Sequence, residues 1–497
     1  MIKRLLPALF AFFLLAPPLL SATYTVIPEP AEKALLVTLR LNKGTATRFW
    51  MPAWAPGDYR IVNFGKYVQV IRLERAGNPI TFTRETDPNL WIASEPADTV
   101  VYRVTGTPGG PFSDNLRITN QELFWNGPAV LGYFEGYQNE THLLRVRRVP
   151  ENAHAECSLE KVDDNNPNFF AFKAPHYDAL VDAPFVMSSS LKVQEFHVRG
   201  KPHAIVAFNR AEGVNLQPYA DLCAKIVEHT ARIFGELPYA RYLFLIDFGG
   251  PGGGLEHADS SRVGIPPNLP PAFSASLLAH EYFHAFNVKR IRSKPLGPFD
   301  YQKPAVTGAL WWLEGVTDYY ADVILHRAGI TSRREFLFTL AQALRSLERN
   351  PNRLRISADE SSRRVWEAHN SSGYGLSYYE KGKLIGLCLD LAIRAETRGS
   401  RSLDDVLRRL YEECKGDKPG FEENRIREIC IEVGGENLGP LYDQCVLLPG
   451  ELPARELLSR FGYTFDGQSI SPSPDAPQEA SSLGARWPLP TNANTPR

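Results

Sequence analysis

Residues 280–284 read His-Glu-Tyr-Phe-His within the helical pattern SASLLAHEYFHAFNVKRI. At 3.6 residues per turn, His280 and His284 sit roughly 40° apart on one helix face, so both imidazoles can reach one Zn²⁺. Glu281 is rotated to the side of that face, where it meets a water on the metal instead of the metal itself, the place of a general base. A tetrahedral catalytic zinc needs a third protein ligand and an open position for water. Glu314 is the candidate third ligand. In ALWWLEGVTDYYADVIL its neighbours Leu310, Trp311 and Leu313 draw the carboxylate inward, where it wants a cation. The preceding loop SKPLGPFDYQKP lets this second helix return beside the first. Asp318, one turn on, could orient a ligand histidine, and an exposed or capping role serves it equally well.

Three other segments carry candidate chemistry. After the strand pattern RYLFLIDF comes GGPGGGLEH at 249–257. Its glycines let backbone approach a ligand closely, and a free strand edge there could align an extended peptide. Gly253 and Gly254 are the candidate substrate contacts, Glu256 is placed to bind a cation, and His257 reads as a structural histidine. Further on, Tyr379-Glu380-Lys381-Gly382 opens a helix. A tyrosine hydroxyl is a neutral donor suited to the oxyanion of a tetrahedral intermediate. The basic run Lys289, Arg290, Arg292 and Lys294 reads as compensating the C-terminal end of the histidine helix or pairing with local carboxylates, with the capture of a substrate's C-terminal carboxylate as the alternative.

The elements that must position these residues belong to a chain of 497 residues, long enough for about three domains. With Lys+Arg 55 against Asp+Glu 56 there is no bulk basic field, which excludes nucleic acid as the main partner. Lys3 and Arg4 precede an apolar run at 5–20 broken by Pro7, Pro17 and Pro18, and Ser21 and Ala22 follow. This reads as a secretory signal over 1–22 and not as a membrane span, so the expected mature protein is exported, periplasmic or secreted, with no stable span. In an oxidising compartment the six cysteines could form disulfides whose pairing is not readable, while Cys388, in an apolar helical pattern, reads as a core thiol. Residues 23–175 alternate like strands in ALLVTLRL, YVQVIRLERA and TVVYRVTG, predicting a β-rich domain. Residues 176–465 turn helical, with LCAKIVEHTARIFGEL and further helices around 274–292, 309–328, 333–348, 378–396 and 402–414. The tail at 466–497, dominated by Ser, Pro, Ala, Asn and Thr, is expected to be disordered.

In order, GGLEH at 253–257, HEYFHAFNVKRIR at 280–292, LWWLEGVTDYY at 310–320 and YEKG at 379–382 resemble the glycyl aminopeptidase family of gluzincin metallopeptidases. MPAWAPGDYRIVNF at 51–64 and HYDALVDAPF at 176–185 are similar to that family's N-terminal domain and domain junction. The resemblance implies a multidomain fold, a β-rich N-terminal domain followed by a mainly α thermolysin-like (gluzincin) domain. It implies one Zn²⁺ on His280, His284 and Glu314, Glu281 as base, Glu256 gripping a substrate's free α-ammonium, and Tyr379 donating to the oxyanion. The implied activity is an aminopeptidase that uses a zinc-activated water to remove N-terminal residues, small ones such as Gly or Ala, from peptides with a free N-terminus. Its rivals are an endopeptidase on the same zinc site and a non-catalytic, zinc-containing peptide-binding export factor. An amine anchor at Glu256 speaks against the first, and the open zinc position against the second. Two departures stand out. Phe286 replaces the family's usual Trp and is expected at the pocket wall, and the residues after Phe465 are too few and too polar for the C-terminal PDZ domain that many members carry.

Overall fold

The computed structural model describes residues 20–106, 109, 115–368, 375–416 and 418–491. Most of the expected secretory segment, 1–19, lies outside the described residues. Strand Ala22–Glu29 buries every second residue, Tyr24 and Val26 among them, and so must be covered on one face. It pairs antiparallel with Ala34–Leu41 and parallel with His142–Arg147, in the middle of an eight-stranded sheet. The expected strands appear there as the consecutive neighbours Ala34–Leu41, Thr99–Thr105 and Val68–Arg75. Two four-stranded sheets complete this β-rich unit around Tyr102, Trp125, Phe172 and Tyr177.

The β-rich unit runs past the expected boundary at 175. Strand Phe185–Ser188 pairs with both Glu122–Trp125 and His154–Glu156, so the unit ends near Ser188. All four residues of that strand are buried, and continuous burial lacks the alternation that marks a strand in sequence.

The following unit opens with a five-stranded sheet in the order Lys192–Val198, Lys201–Phe208, Tyr242–Asp247, Ser260–Gly264, Gly253–Glu256. Among the described residues Gly253–Glu256 is an edge strand, paired only with Ser260–Gly264. Helices then dominate, with Gln217–Phe234, Arg333–Arg349, Tyr378–Glu396 and Leu403–Cys414 close to the predicted spans. The helix expected over 274–292 is shorter, Ala275–Phe283, because the chain beyond it is needed for side-chain support described below.

The tail is corrected more substantially. Ile470–Pro472 pairs with Tyr463–Phe465, and Gln478–Arg486 is a helix. Trp487 is fully buried against Phe336, Phe461 and Tyr463, donates from its indole nitrogen to the Tyr319 hydroxyl at 3.1 Å, and its carbonyl accepts from Arg333. One large anchor orders a segment whose average composition suggests disorder. Residues 492–497 lie outside the described residues. All six cysteines are buried free thiols, Cys388 sitting in the core as expected. Among the described residues no helix is long and apolar enough to cross a membrane.

Candidate active site

His280, in the last turn of helix Ala275–Phe283, and His284, its C-cap, have their Nδ1 atoms already engaged. His280 Nδ1 lies 2.8 Å from Asp318 Oδ1, and His284 Nδ1 lies 2.7 Å from the carbonyl oxygen of Asn287. A carbonyl or carboxylate oxygen can only accept, so in the neutral rings Nδ1 carries the proton and Nε2 the lone pair. The two Nε2 atoms face each other at 2.9 Å, and Glu314 Oε2 is 3.5 Å from that of His280 and 3.2 Å from that of His284. Two lone pairs and a carboxylate oxygen converging in the interior repel one another unless a cation sits between them. Two imidazoles and one carboxylate form a zinc donor set, so these residues fit that metal. Burial alone would lower both imidazole pKa values, but Asp318 raises that of His280 and Glu314 that of His284, so protons compete with metal here.

The local sequence explains how Glu314 arrives. Trp311–Val316 forms a π-helical segment that continues as helix Thr317–Arg327. Asn287, fully buried, donates from Nδ2 to the Trp312 carbonyl at 2.9 Å and to Thr317 Oγ1 at 3.0 Å, tying the two ligand-bearing segments together. The same residue's carbonyl holds His284 just past the end of the histidine helix. On the far side, a Cβ at Gly315 would come within 2.5 Å of Gly382 Cα, so only a pair of glycines lets these helices meet at backbone distance. That contact brings in Tyr379, whose ring stacks near His280 with centroids 6.1 Å apart and planes 29° apart.

Glu281 shares its surroundings with Glu256, their carboxylates and His284 converging within 4.8 Å. Burial pushes the Glu281 carboxyl up to about 7, against the pull of the two imidazoles. Gly254 faces it directly, for a Cβ there would lie 2.2 Å from the Glu281 carboxyl carbon. The basic run does pair with carboxylates. Lys289 Nζ is 2.9 Å from Asp182 Oδ1 and 4.0 Å from Glu256 Oε1, and Arg290 reaches Asp259 at 2.7 Å. His257, structural as expected, places Nδ1 3.1 Å from the same Asp182 oxygen. Burial would lower the Lys289 pKa, but Asp182 and Glu256 raise it, so the ammonium stays charged. Replacing it by Met leaves two buried carboxylates without their cation, and Lys289→Met is expected to cost about 3–5 kcal/mol of stability. Thermal and urea unfolding check this, and curves superimposable on those of the parent protein would contradict the pairing.

The sequence-predicted residues come together. His280, Glu281, His284, Glu314, Tyr379, Glu256, Gly253 and Gly254 line one cleft of about 500 Å³, and Asp318 stands at its edge. Gly57, from the β-rich unit, is the residue the sequence reading missed. Its φ of +85° suits glycine, and a Cβ there would lie 2.8 and 3.0 Å from the two Glu256 carboxylate oxygens. Pro56-Gly57-Asp58 reads as a plain turn, and nothing in its periodicity says that it reaches another domain. Asp182 was likewise visible only as part of HYDALVDAPF. Phe286, expected at the pocket wall, is buried in the core and stacks on Phe234 with ring centroids 4.1 Å apart.

Two family models match the chain and together span more than half of it, M61 glycyl aminopeptidase over residues 274–385 and the Peptidase M61 N-terminal domain over residues 23–189. A search of the curated proteins gives no match. Among solved structures, an aminopeptidase N family protein from Idiomarina loihiensis aligns with a TM-score of 0.82 at 26% identity, covering 89% of this chain and 78% of its own. Native yeast LTA4 hydrolase aligns with a TM-score of 0.60 at 13% identity over 89% of this chain and 72% of its own. A mutant M1 zinc metallopeptidase from Deinococcus radiodurans, bound to a Tyr-Ser-Ala substrate, gives 0.58 at 13% identity over 88% and 96%. The last two likenesses bear on the fold alone.

Proposed function

We propose, given that the chain belongs to the M61 glycyl aminopeptidase family of zinc metallopeptidases, that it releases the first residue of peptides carrying a free amino terminus. The observation that carries this reading is the buried Glu256 carboxylate, set beside Glu281 and His284 where the backbone of Gly57 abuts it. Zinc held by His280, His284 and Glu314 would supply a Lewis acid and an acidified water. Glu256 accepts the substrate's α-ammonium and so fixes which peptide bond reaches the metal ligands. Glu281 takes a proton onto its carboxylate and later gives it to the departing amine, and a pKa of about 7 suits both directions. Tyr379 stays protonated, since burial and the nearby Glu314 raise its pKa well above that of an ordinary phenol, and it donates its O–H to the oxyanion. Small first residues such as Gly and Ala suit an anchor packed this closely by backbone.

One observation favours a second reading. A further cavity of about 580 Å³ adjoins Gly57 and Glu256 and contains Trp54, Lys289 and Arg292, and an endopeptidase would need such space for residues upstream of the cut. The two readings differ on blocked substrates. Acetylation removes the ammonium and leaves the Glu256 charge without its partner, so kcat/KM on an N-acetylated tripeptide is expected to fall about 10²–10³-fold below that on the free one. Equal cleavage of both would reject the amine anchor and favour the endopeptidase.

A further inference from the structure

Phe273 stands out on the surface. It is 75% exposed, the highest value among the exposed large apolar side chains of the described residues, and it lines the catalytic cleft together with Leu277. It lies in the short 3-10 turn Pro271–Ser274 that leads into the histidine helix. Its place follows from two elements. Leu277 is one helical turn upstream of Glu281, and Phe273 lies further upstream, in the 3-10 turn just before the helix. Glu256 reaches His284 as well as Glu281. The edge strand Gly253–Glu256 has Gly254 against Glu281 and Glu256 close to His284, so it runs in the same direction as the helix. Moving from Glu256 back toward Gly253 therefore leads from the amine anchor, past the metal ligands, toward Leu277 and Phe273. Among the described residues no strand pairs with the outer edge of that strand, so an extended peptide can lie along it.

We infer that Phe273 and Leu277 form the surface that receives the side chain just after the scissile bond, which makes the preferred substrates peptides with a large apolar or aromatic second residue. The inference rests on Glu256 being the amine anchor, because that assignment sets the direction of the bound chain. A phenylalanine left this exposed at an open cleft is otherwise a liability, and a second aromatic ring covering it removes apolar area from water on both partners.

The test compares Ala-Phe-Ala with Ala-Ser-Ala, both with free amino termini, on the zinc-loaded enzyme. Wild type is expected to favour the phenylalanine peptide by about tenfold in kcat/KM, and Phe273→Ser to bring that ratio close to one. Phe273→Leu, which keeps an apolar side chain, is expected to retain an intermediate ratio. Binding gives an independent readout. In a Glu281→Gln background, calorimetry is expected to show a similar ratio of dissociation constants for the two peptides and its loss on adding Phe273→Ser. An unchanged ratio in Phe273→Ser, or no preference in wild type, overturns the inference while leaving the aminopeptidase reading in place. Failure of the wild-type enzyme to cleave either free peptide overturns that underlying reading and the inference with it.

Discussion

Replacing Glu281 by Gln is expected to lower kcat by about 10³–10⁴-fold while the protein keeps one zinc per chain. The substitution preserves shape and removes only the ability to take up and return a proton. Glu281 is not one of the three groups, His280, His284 and Glu314, that make up the donor set, although it comes close to His284, so its loss leaves that set whole. The carboxyl is buried next to Glu256 and Glu314, whose negative charges help to raise its pKa, and a neutral amide relieves that crowding. Stability is accordingly expected to hold or rise. Steady-state kinetics on Gly, Ala and Leu anilides, with metal content by elemental analysis, check the prediction. Turnover near the wild-type rate would remove Glu281 from the chemistry, and loss of zinc alongside activity would recast it as a ligand.

Glu314→Gln is expected to abolish turnover by releasing the metal. Without its carboxylate, the facing Nε2 atoms of His280 and His284 have no anionic partner to complete the donor set. Losing a supporting hydrogen bond, such as that between Asp318 and His280, costs about 10–100-fold in metal affinity, and losing a ligand outright should cost more. Asp318→Asn then falls between wild type and Glu314→Gln in zinc retained through dialysis against a chelator. Wild type treated in the same way is expected to lose activity and regain it with added zinc, whereas Glu314→Gln is not rescued by a stoichiometric amount. Retention of stoichiometric zinc by Glu314→Gln would place the metal elsewhere.

Much of the site was legible because its residues are close in sequence or carry distinctive neighbours. The spacing of His280 and His284 on a helix fixes their shared face, and the aromatic and leucine flanks of Glu314 mark a carboxylate drawn inward. The longest helices, such as Tyr378–Glu396, were also readable, since apolar residues repeat over enough turns to stand above noise. Where a single residue outweighs its segment, reading by composition fails. Trp487 anchors a tail that averages as disordered, and Phe185–Ser188 hides a strand because all four of its residues are buried, without alternation.

Spacing, flanking residues and composition are local properties of the chain, and they suffice for the candidate metal ligands, for the order of a β-rich unit before a helical one and for the glycine-rich segment carrying Glu256. Only the tertiary structure decided that Gly57 of the β-rich unit abuts Glu256, that Lys289 joins Asp182 to that carboxylate, and that Gly315 and Gly382 let Tyr379 approach the histidines. These contacts join residues far apart in the chain, and their geometry follows from the packing of whole layers against one another, to which no local periodicity is sensitive.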